Sequence, residues 1–123
     1  LNQEKRQRAI GFIDALSDFS ELKFHCEDSK RHNYHLLAAQ MDNGRRDEFI
    51  KKMSEDKGIQ CVVQYYPLYR YDLYKKMGQG DANCANTDYF FDNMVSFPFH
   101  HMMTEDDFFY LLESTKEVLA RLR

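Results

Sequence analysis

Residues 33–66, Asn-Tyr-His-Leu-Leu-Ala-Ala-Gln-Met-Asp-Asn-Gly-Arg-Arg-Asp-Glu-Phe-Ile-Lys-Lys-Met-Ser-Glu-Asp-Lys-Gly-Ile-Gln-Cys-Val-Val-Gln-Tyr-Tyr, hold a strand, a helix and a second strand in one unbroken passage. Asn33 to Met41 reads as an extended run that the polar Asp42-Asn43-Gly44 stretch interrupts. That stretch offers a capping side chain to a helix, whose inward face is marked by Phe49, Ile50 and Met53 and which stops at Gly58. The run from Ile59 to Tyr66 is rich in β-branched and aromatic residues, as in a strand. Pro67 then removes the next ladder donor.

Upstream, Ala9, Ile10, Ile13, Leu16 and Phe19 recur at the three-and-four spacing of an amphipathic helix across Glu4 to Phe19. Leu22, Phe24 and Cys26 alternate with Lys23 and His25. After a polar turn, Glu27 to Arg31, this segment pairs with the Asn33–Met41 run as an antiparallel hairpin. Downstream, Leu68 to Gly80 reads as an aromatic loop with a short helix, and Asn83 to Val95 as a helix with Phe90, Phe91 and Met94 inward. Ser96 to Phe99 is an extended link. The closing helix carries the best signals: Thr104 as N-cap with Asp107 three residues on, an acidic first turn, basic residues at its end, and an apolar stripe at Phe108, Leu111, Leu112, Thr115, Val118, Leu119 and Leu122. The order predicts an α+β two-layer sandwich, a small and mainly antiparallel sheet with helices packed on one face, whose other face is left for something outside the chain.

The 123 residues, 43% hydrophobic, suit one domain spanning 1–123. Ten Phe and eight Tyr are a high aromatic load for this size, and part of it is expected to face a partner. A net charge of −3 with interspersed signs gives no reason to expect nucleic acid or an anionic membrane. Lys5, Arg6 and Arg8 read as a solvated helix face. No apolar run reaches membrane-spanning length and no signal-peptide pattern opens the chain. Cys26, Cys61 and Cys84 are odd in number and widely spaced, which argues against a disulfide framework or thiolate zinc site and for a reducing, cytoplasmic setting. The chain enters helix-compatible sequence directly from Leu1, the mark expected of a piece of a longer protein.

His32 and His35 are candidate metal ligands, yet three positions apart on a strand they point to opposite faces, so no metal site is expected. Nothing local activates a cysteine beside a histidine, and Gly78-Gln79-Gly80 lacks the residues of a phosphate-cradling loop. The segment Val63 to Tyr71 stands apart, because it gathers hydrogen-bonding aromatic tips and one cation where a strand leaves for a loop. Tyrosines there can stack on a base or sugar while donating a hydroxyl, and Arg70 can meet a phosphate; equally, the same rings can pack an inter-domain contact.

Four passages, in order, resemble the C-terminal domain of the DegT/DnrJ/StrS family of sugar aminotransferases, members of the aspartate-aminotransferase fold. They are Asn33 to Leu37 with Asp42 to Asp47; Lys57-Gly58-Ile59 ahead of Tyr65-Tyr66-Pro67; Gly80 to Asn86; and Val95 to His100 with Thr104 to Asp107. The resemblance covers nearly the whole chain. It implies a parent enzyme that uses pyridoxal phosphate or pyridoxamine phosphate to exchange an amino group with a keto group on a nucleotide-sugar. It also implies a homodimer, and an N-terminal cofactor-binding domain that holds the Schiff-base lysine outside this chain. This domain would cover the active site from the substrate side, with no catalytic or cofactor-binding residue and no cofactor of its own. Tyr34, His35, Gln64, Tyr65, Tyr66, Tyr69 and Arg70 are the substrate-binding candidates. Where the family often has His-Tyr-x-Pro-x-His, Gln64 and Tyr69 replace the histidines, which removes any role needing imidazole but keeps hydrogen-bonding capacity. The alternatives are a domain of a pyridoxamine-phosphate-dependent sugar dehydrase and a non-catalytic sugar-nucleotide binding module.

Overall fold

A computed structural model describes residues 2–24 and 32–123 of the chain. The expected turn at Glu27–Arg31, together with His25 and Cys26, lies outside the described residues. Among the described residues, five α-helices accompany a three-stranded antiparallel sheet: α1 (Asn2–Ala15), β1 (Lys23–Phe24), β2 (Leu37–Gln40), α2 (Arg46–Lys57), α3 (Asp72–Lys76), α4 (Ala85–Asn93), β3 (Met94–Phe97) and α5 (Glu105–Arg121), with a 3-10 turn at Leu68–Arg70. The strands lie in the order β1-β2-β3, with Phe24 opposite Ala39, Leu37 opposite Phe97 and Gln40 opposite Met94. This is the α+β architecture that the order of elements predicts.

The alternation of strand side chains places Leu37, Ala39, Val95 and Phe97 on one sheet face. There they join Ala9 and Phe12 from α1, Leu16 just after it, Phe49 and Met53 from α2, and Leu111, Val118 and Leu119 from α5 in one continuous core. Phe97 is its hub. Its ring meets Phe12 at 5.2 Å, Phe49 at 6.0 Å and Phe24 at 6.3 Å, so it ties β3 to α1, α2 and β1 through edge-on and stacked aromatic contacts.

Sequence signals and structure agree best in α5. The Thr104 hydroxyl accepts from the Asp107 amide at 3.0 Å, and the Asp107 carboxylate accepts from the Thr104 amide at 3.2 Å, completing a capping box. Within the buried stripe, the Thr115 hydroxyl donates to the Leu111 carbonyl at 2.7 Å, which satisfies a polar group that would be costly without a partner. Helix α2 ends as expected, with Gly58 at φ 65°, a left-handed conformation that glycine adopts without a Cβ penalty. Its start differs, since Arg45 holds the N-cap position without a side-chain cap and Asn43 instead accepts from the Arg45 amide at 3.0 Å. Lys57–Glu117 at 2.5 Å, Arg121–Asp56 at 3.5 Å and the Tyr110 hydroxyl on the Lys57 carbonyl at 2.8 Å join α2 to α5.

Five expectations need correction. The Ile59–Tyr66 strand reduces to one bridge, Val62 with Ser96; beyond it the Gln64 amide donates to the Met94 sulfur, leaving the ladder no further backbone partner. The third strand is Met94–Phe97, where a helix end and a link were expected. The Arg46 guanidinium takes the Phe91 and Met94 carbonyls at 3.0 and 2.9 Å, and the Met41 amide takes that of Asn93 at 2.7 Å, so carbonyls at the end of α4 are satisfied while the chain turns extended into a slot buried on both faces. The Asn33–Met41 run becomes a strand only from Leu37, and α1 stops at Ala15 in tight turns such as Phe19 N–H to Leu16 O, short of Phe19. Finally, Lys5, Arg6 and Arg8 are half-buried rather than solvated: Arg8 donates to the Met103 carbonyl at 2.6 Å, and Lys5 lies 5.4 Å from the centre of the Phe99 ring. Among the described residues no helix is long and apolar enough to cross a membrane.

Truncating the hub, Phe97→Ala, is expected to cost about 3–5 kcal/mol, a large share of the roughly 5–15 kcal/mol typical of a domain, and urea unfolding measures it. Glu117 supplies a pH signature. The hydrogen bond from Lys57, with the Lys57 and Arg121 charges added, holds its carboxyl below the ordinary value. A group with a depressed folded pKa stabilises fully above its unfolded value, about 4.3, and loses that contribution as pH falls through the folded one. Glu117→Gln should therefore lower the neutral plateau, leave the stability below the folded pKa nearly unchanged, and so flatten the acid limb of a stability–pH curve.

Candidate functional site

The antiparallel register divides the seven candidate side chains between two ends of the sheet. Tyr34 and His35 precede Leu37, which pairs with Phe97 at one end; Gln64 reaches Met94 at the other, and the chain continues from there to the 3-10 turn. Met94 to Phe97 alone spans about 10 Å at roughly 3.3 Å per strand residue. The chain does not gather the seven into one subsite.

At the first end, two side chains shape the backbone. The Asn33 carboxamide oxygen accepts from the His35 amide at 3.0 Å, and His32 Nδ1 accepts from the Tyr34 amide at 2.9 Å. The His32 and Tyr34 rings stack face to face at 4.0 Å, and Tyr34 is buried with its backbone in the left-handed region at φ 51°. A cavity of about 300 Å³ opens here, lined by Ile13, Phe24 and the residues from His32 to Ala38, and its wall is mostly apolar. Neither histidine sits on the strand, and no grouping of three metal-ligating side chains occurs among the described residues.

The second end holds a dense polar and aromatic knot. Asp88, in the first turn of α4, accepts from the Tyr69 hydroxyl and from Arg70 Nη2, the latter at 2.6 Å, both on one carboxylate oxygen. Arg70 Nε also donates to the Tyr69 oxygen at 3.4 Å, and its guanidinium lies 5.6 Å from the centre of the Phe91 ring. Phe91 meets Tyr66 edge-on at 5.5 Å, and Tyr66 meets Tyr71 at 5.0 Å. The hydrogen bond to Asp88 raises the Tyr69 hydroxyl above its ordinary pKa, so it stays a protonated donor. Arg70 is thus committed to a carboxylate within the chain. Beside the knot, Asp42 accepts from Lys23 at 2.7 Å and from the Tyr89 hydroxyl at 2.9 Å; these bonds hold its carboxyl below the ordinary value.

The knot turns other side chains outward. Tyr65, Leu68, Leu73 and Met77 are each more than 60% exposed, and Tyr66 and Tyr71 are partly so, which makes an apolar surface from one continuous stretch of chain. Sequence reading found the tyrosines and Arg70 but missed Asp88, Phe91, Asp42 and Tyr89. Asp88 sits in a segment read only for its apolar face, and an acid in a helix's first turn near an arginine-bearing loop is the one signal that pointed to it.

A pyridoxal-type cofactor needs a lysine for its aldehyde, an acid for its ring nitrogen and donors for its phosphate. The cavity beside Tyr34 has no lysine or acid. A second cavity, at Glu4, Gln7, Arg8, Gly11, Glu105 and Phe108, has acids but no lysine; a third, between Gly58 and Leu111, has Asp107 and no cation. None of these three fits the group.

Residues 1–116 match the model of the DegT/DnrJ/EryC1/StrS aminotransferase family. A UDP-4-amino-4,6-dideoxy-N-acetyl-beta-L-altrosamine transaminase of Campylobacter jejuni is 27% identical over 127 residues, which cover 99% of this chain and 33% of the relative. The spore coat polysaccharide biosynthesis protein SpsC of Bacillus subtilis is 25% identical over 97 residues, 75% of this chain and 25% of that protein. Among solved structures, the aminotransferase TlmJ of Streptoalloteichus hindustanus superposes with a TM-score of 0.85 at 18% identity, over 98% of this chain and 32% of its own. The chain spans about a third of the length of the curated relatives it matches over nearly its whole extent.

Thiol chemistry separates the two described cysteines. Burial pushes the Cys61 thiol up to about 12, whereas Cys84 is half-exposed at the start of α4. In a Cys26→Ser background at neutral pH, a thiol-specific reagent should modify Cys84 readily and reach Cys61 only as the chain unfolds. Mass spectrometry of the labelled peptides reads the order.

Proposed function

Since the chain belongs to the DegT/DnrJ/EryC1/StrS aminotransferase family, we propose that it is the C-terminal, substrate-side domain of a sugar aminotransferase, covering an active site whose cofactor is held by an N-terminal domain. The parent would exchange an amino group for a keto group on a nucleotide-linked sugar in polysaccharide or amino-sugar synthesis, in the cytoplasm and as a homodimer. The observation that carries the reading is the family match across residues 1–116. One feature agrees with it: the aromatic surface from Tyr65 to Met77 suits a covering rather than a reacting role. Pyridoxal phosphate would serve the parent as electron sink. This chain contributes contacts and excludes water.

Within that role the candidates take different parts. Tyr65, the most exposed tyrosine, is free to stack on a sugar or base while its hydroxyl donates, and Gln64 and Tyr66 flank it. Tyr69 and Arg70 hold the loop. Tyr34 and His35 would meet a substrate only if it, or a neighbouring subunit, extends to the other end of the sheet.

The test is incubation of the full-length polypeptide with glutamate, pyridoxal phosphate and a panel of keto nucleotide-sugars, followed by mass spectrometry. Formation of an amino sugar, abolished when the anchoring lysine upstream is replaced, is the expected result; Tyr65→Ala should then lower kcat/KM for the nucleotide-sugar about tenfold, the scale of a lost stacking and hydrogen-bonding contact. Loss of water without amine incorporation would make the parent a dehydrase. Submillimolar nucleotide-sugar binding by this chain alone would instead favour a binding module.

A further inference from the structure

The loop proposed to face substrate has little backbone structure of its own. Between Gln64 and Tyr71 its backbone bonds besides the Gln64 contact are Arg70 N–H to Pro67 O at 3.0 Å and Tyr71 N–H to Leu68 O at 3.1 Å, which close the 3-10 turn on itself, and Lys75 N–H to Tyr71 O at 3.1 Å, which leads into α3. None of the three attaches the turn to the sheet or to α4. Attachment comes from side chains, and the polar part converges on Asp88.

Asp88 suits a fixed post. It lies in the first turn of α4, where the positive helix end favours its charge, and its amide is bonded to the Cys84 carbonyl at 2.9 Å. The far end of α4 is gripped by Arg46 and continues without a break into β3 in the core. Two neighbouring residues of the turn, Tyr69 and Arg70, present donors to one Asp88 oxygen, and the Arg70–Tyr69 bond closes a three-membered network. Its members are only partly exposed, so the charge-assisted bonds are weakened but not cancelled by solvent.

We propose that Asp88 is a positioning residue for substrate recognition: it holds Tyr69 and Arg70 against α4, and so fixes the stance from which Tyr65 and Tyr66 meet the nucleotide-sugar. The assignment rests on the reading of the domain as substrate-side, and it gives Arg70 a partner other than a substrate phosphate. Losing the carboxylate should free the turn without opening the core, which is held by the packing of Phe97 on Phe12, Phe24 and Phe49.

The experiment compares wild-type full-length protein with Asp88→Ala, Asp88→Asn and Asp88→Glu in two measurements. Hydrogen exchange followed by mass spectrometry is expected to show faster exchange across residues 65–71 in Asp88→Ala, α5 unchanged, and partial recovery in Asp88→Glu. Steady-state kinetics should show KM for the nucleotide-sugar raised about tenfold in Asp88→Ala, the scale of one lost charge-assisted hydrogen bond, with KM for the amino donor unchanged. Unaltered exchange across 65–71 would overturn the proposal, as would an equal rise in both KM values or slower turnover with both KM values constant. If the wild-type protein does not transaminate, the parent's assignment fails by itself, and the exchange measurement still decides whether Asp88 anchors the turn.

Discussion

The packing of Phe97 against Phe12, Phe24 and Phe49 is the constraint on which the rest of the domain depends. A sheet with strands of two to four residues has too few ladder bonds to define itself. Its register is set because a slip of one residue would move Leu37, Ala39, Val95 and Phe97 off the face that α1, α2 and α5 cover. With β3 so placed, α4 must end where it does and the segment after Ile59 must run beside β3. The loop from Tyr65 to Arg70 then emerges at the Met94 end.

Much of this was legible in the sequence wherever one local signal decided the outcome. The Thr104–Asp107 box, the stop at Gly58 and the apolar stripe of α5 are short-range chemistry and stand as read. The third strand was not, because Met94 to Phe97 is buried on both sides and carries no alternation, while the better strand pattern, Ile59 to Tyr66, loses the pairing contest to bonds that sequence cannot show. Family resemblance supplied the fold and the expected role where periodicity alone would have stopped at a small α+β domain.

The candidate site was half legible for a related reason. A concentration of tyrosines beside one arginine is visible along the chain, but what those groups bind is a long-range fact. Asp88 lies 18 positions beyond Arg70 and claims its guanidinium; Phe91 claims the face of that same cation. Tyr34 and His35, close to the others in motif order, are set apart by the length of β3. Spacing in sequence therefore shows which residue types the segment concentrates, but not which of them touch one another.

Arg46 gives α4 a mechanical meaning. By bonding two carbonyls at the end of that short helix it welds α2 to the place where helix becomes strand. The loop's mooring at Asp88 lies three positions from Phe91 and six from Met94, the two residues of the weld, with no hinge glycine between them. A force applied to the exposed tyrosines travels down a stiff strut into the aromatic centre instead of dissipating in slack chain. Under the proposed covering role, the loop would move with the domain's frame rather than fold down by itself.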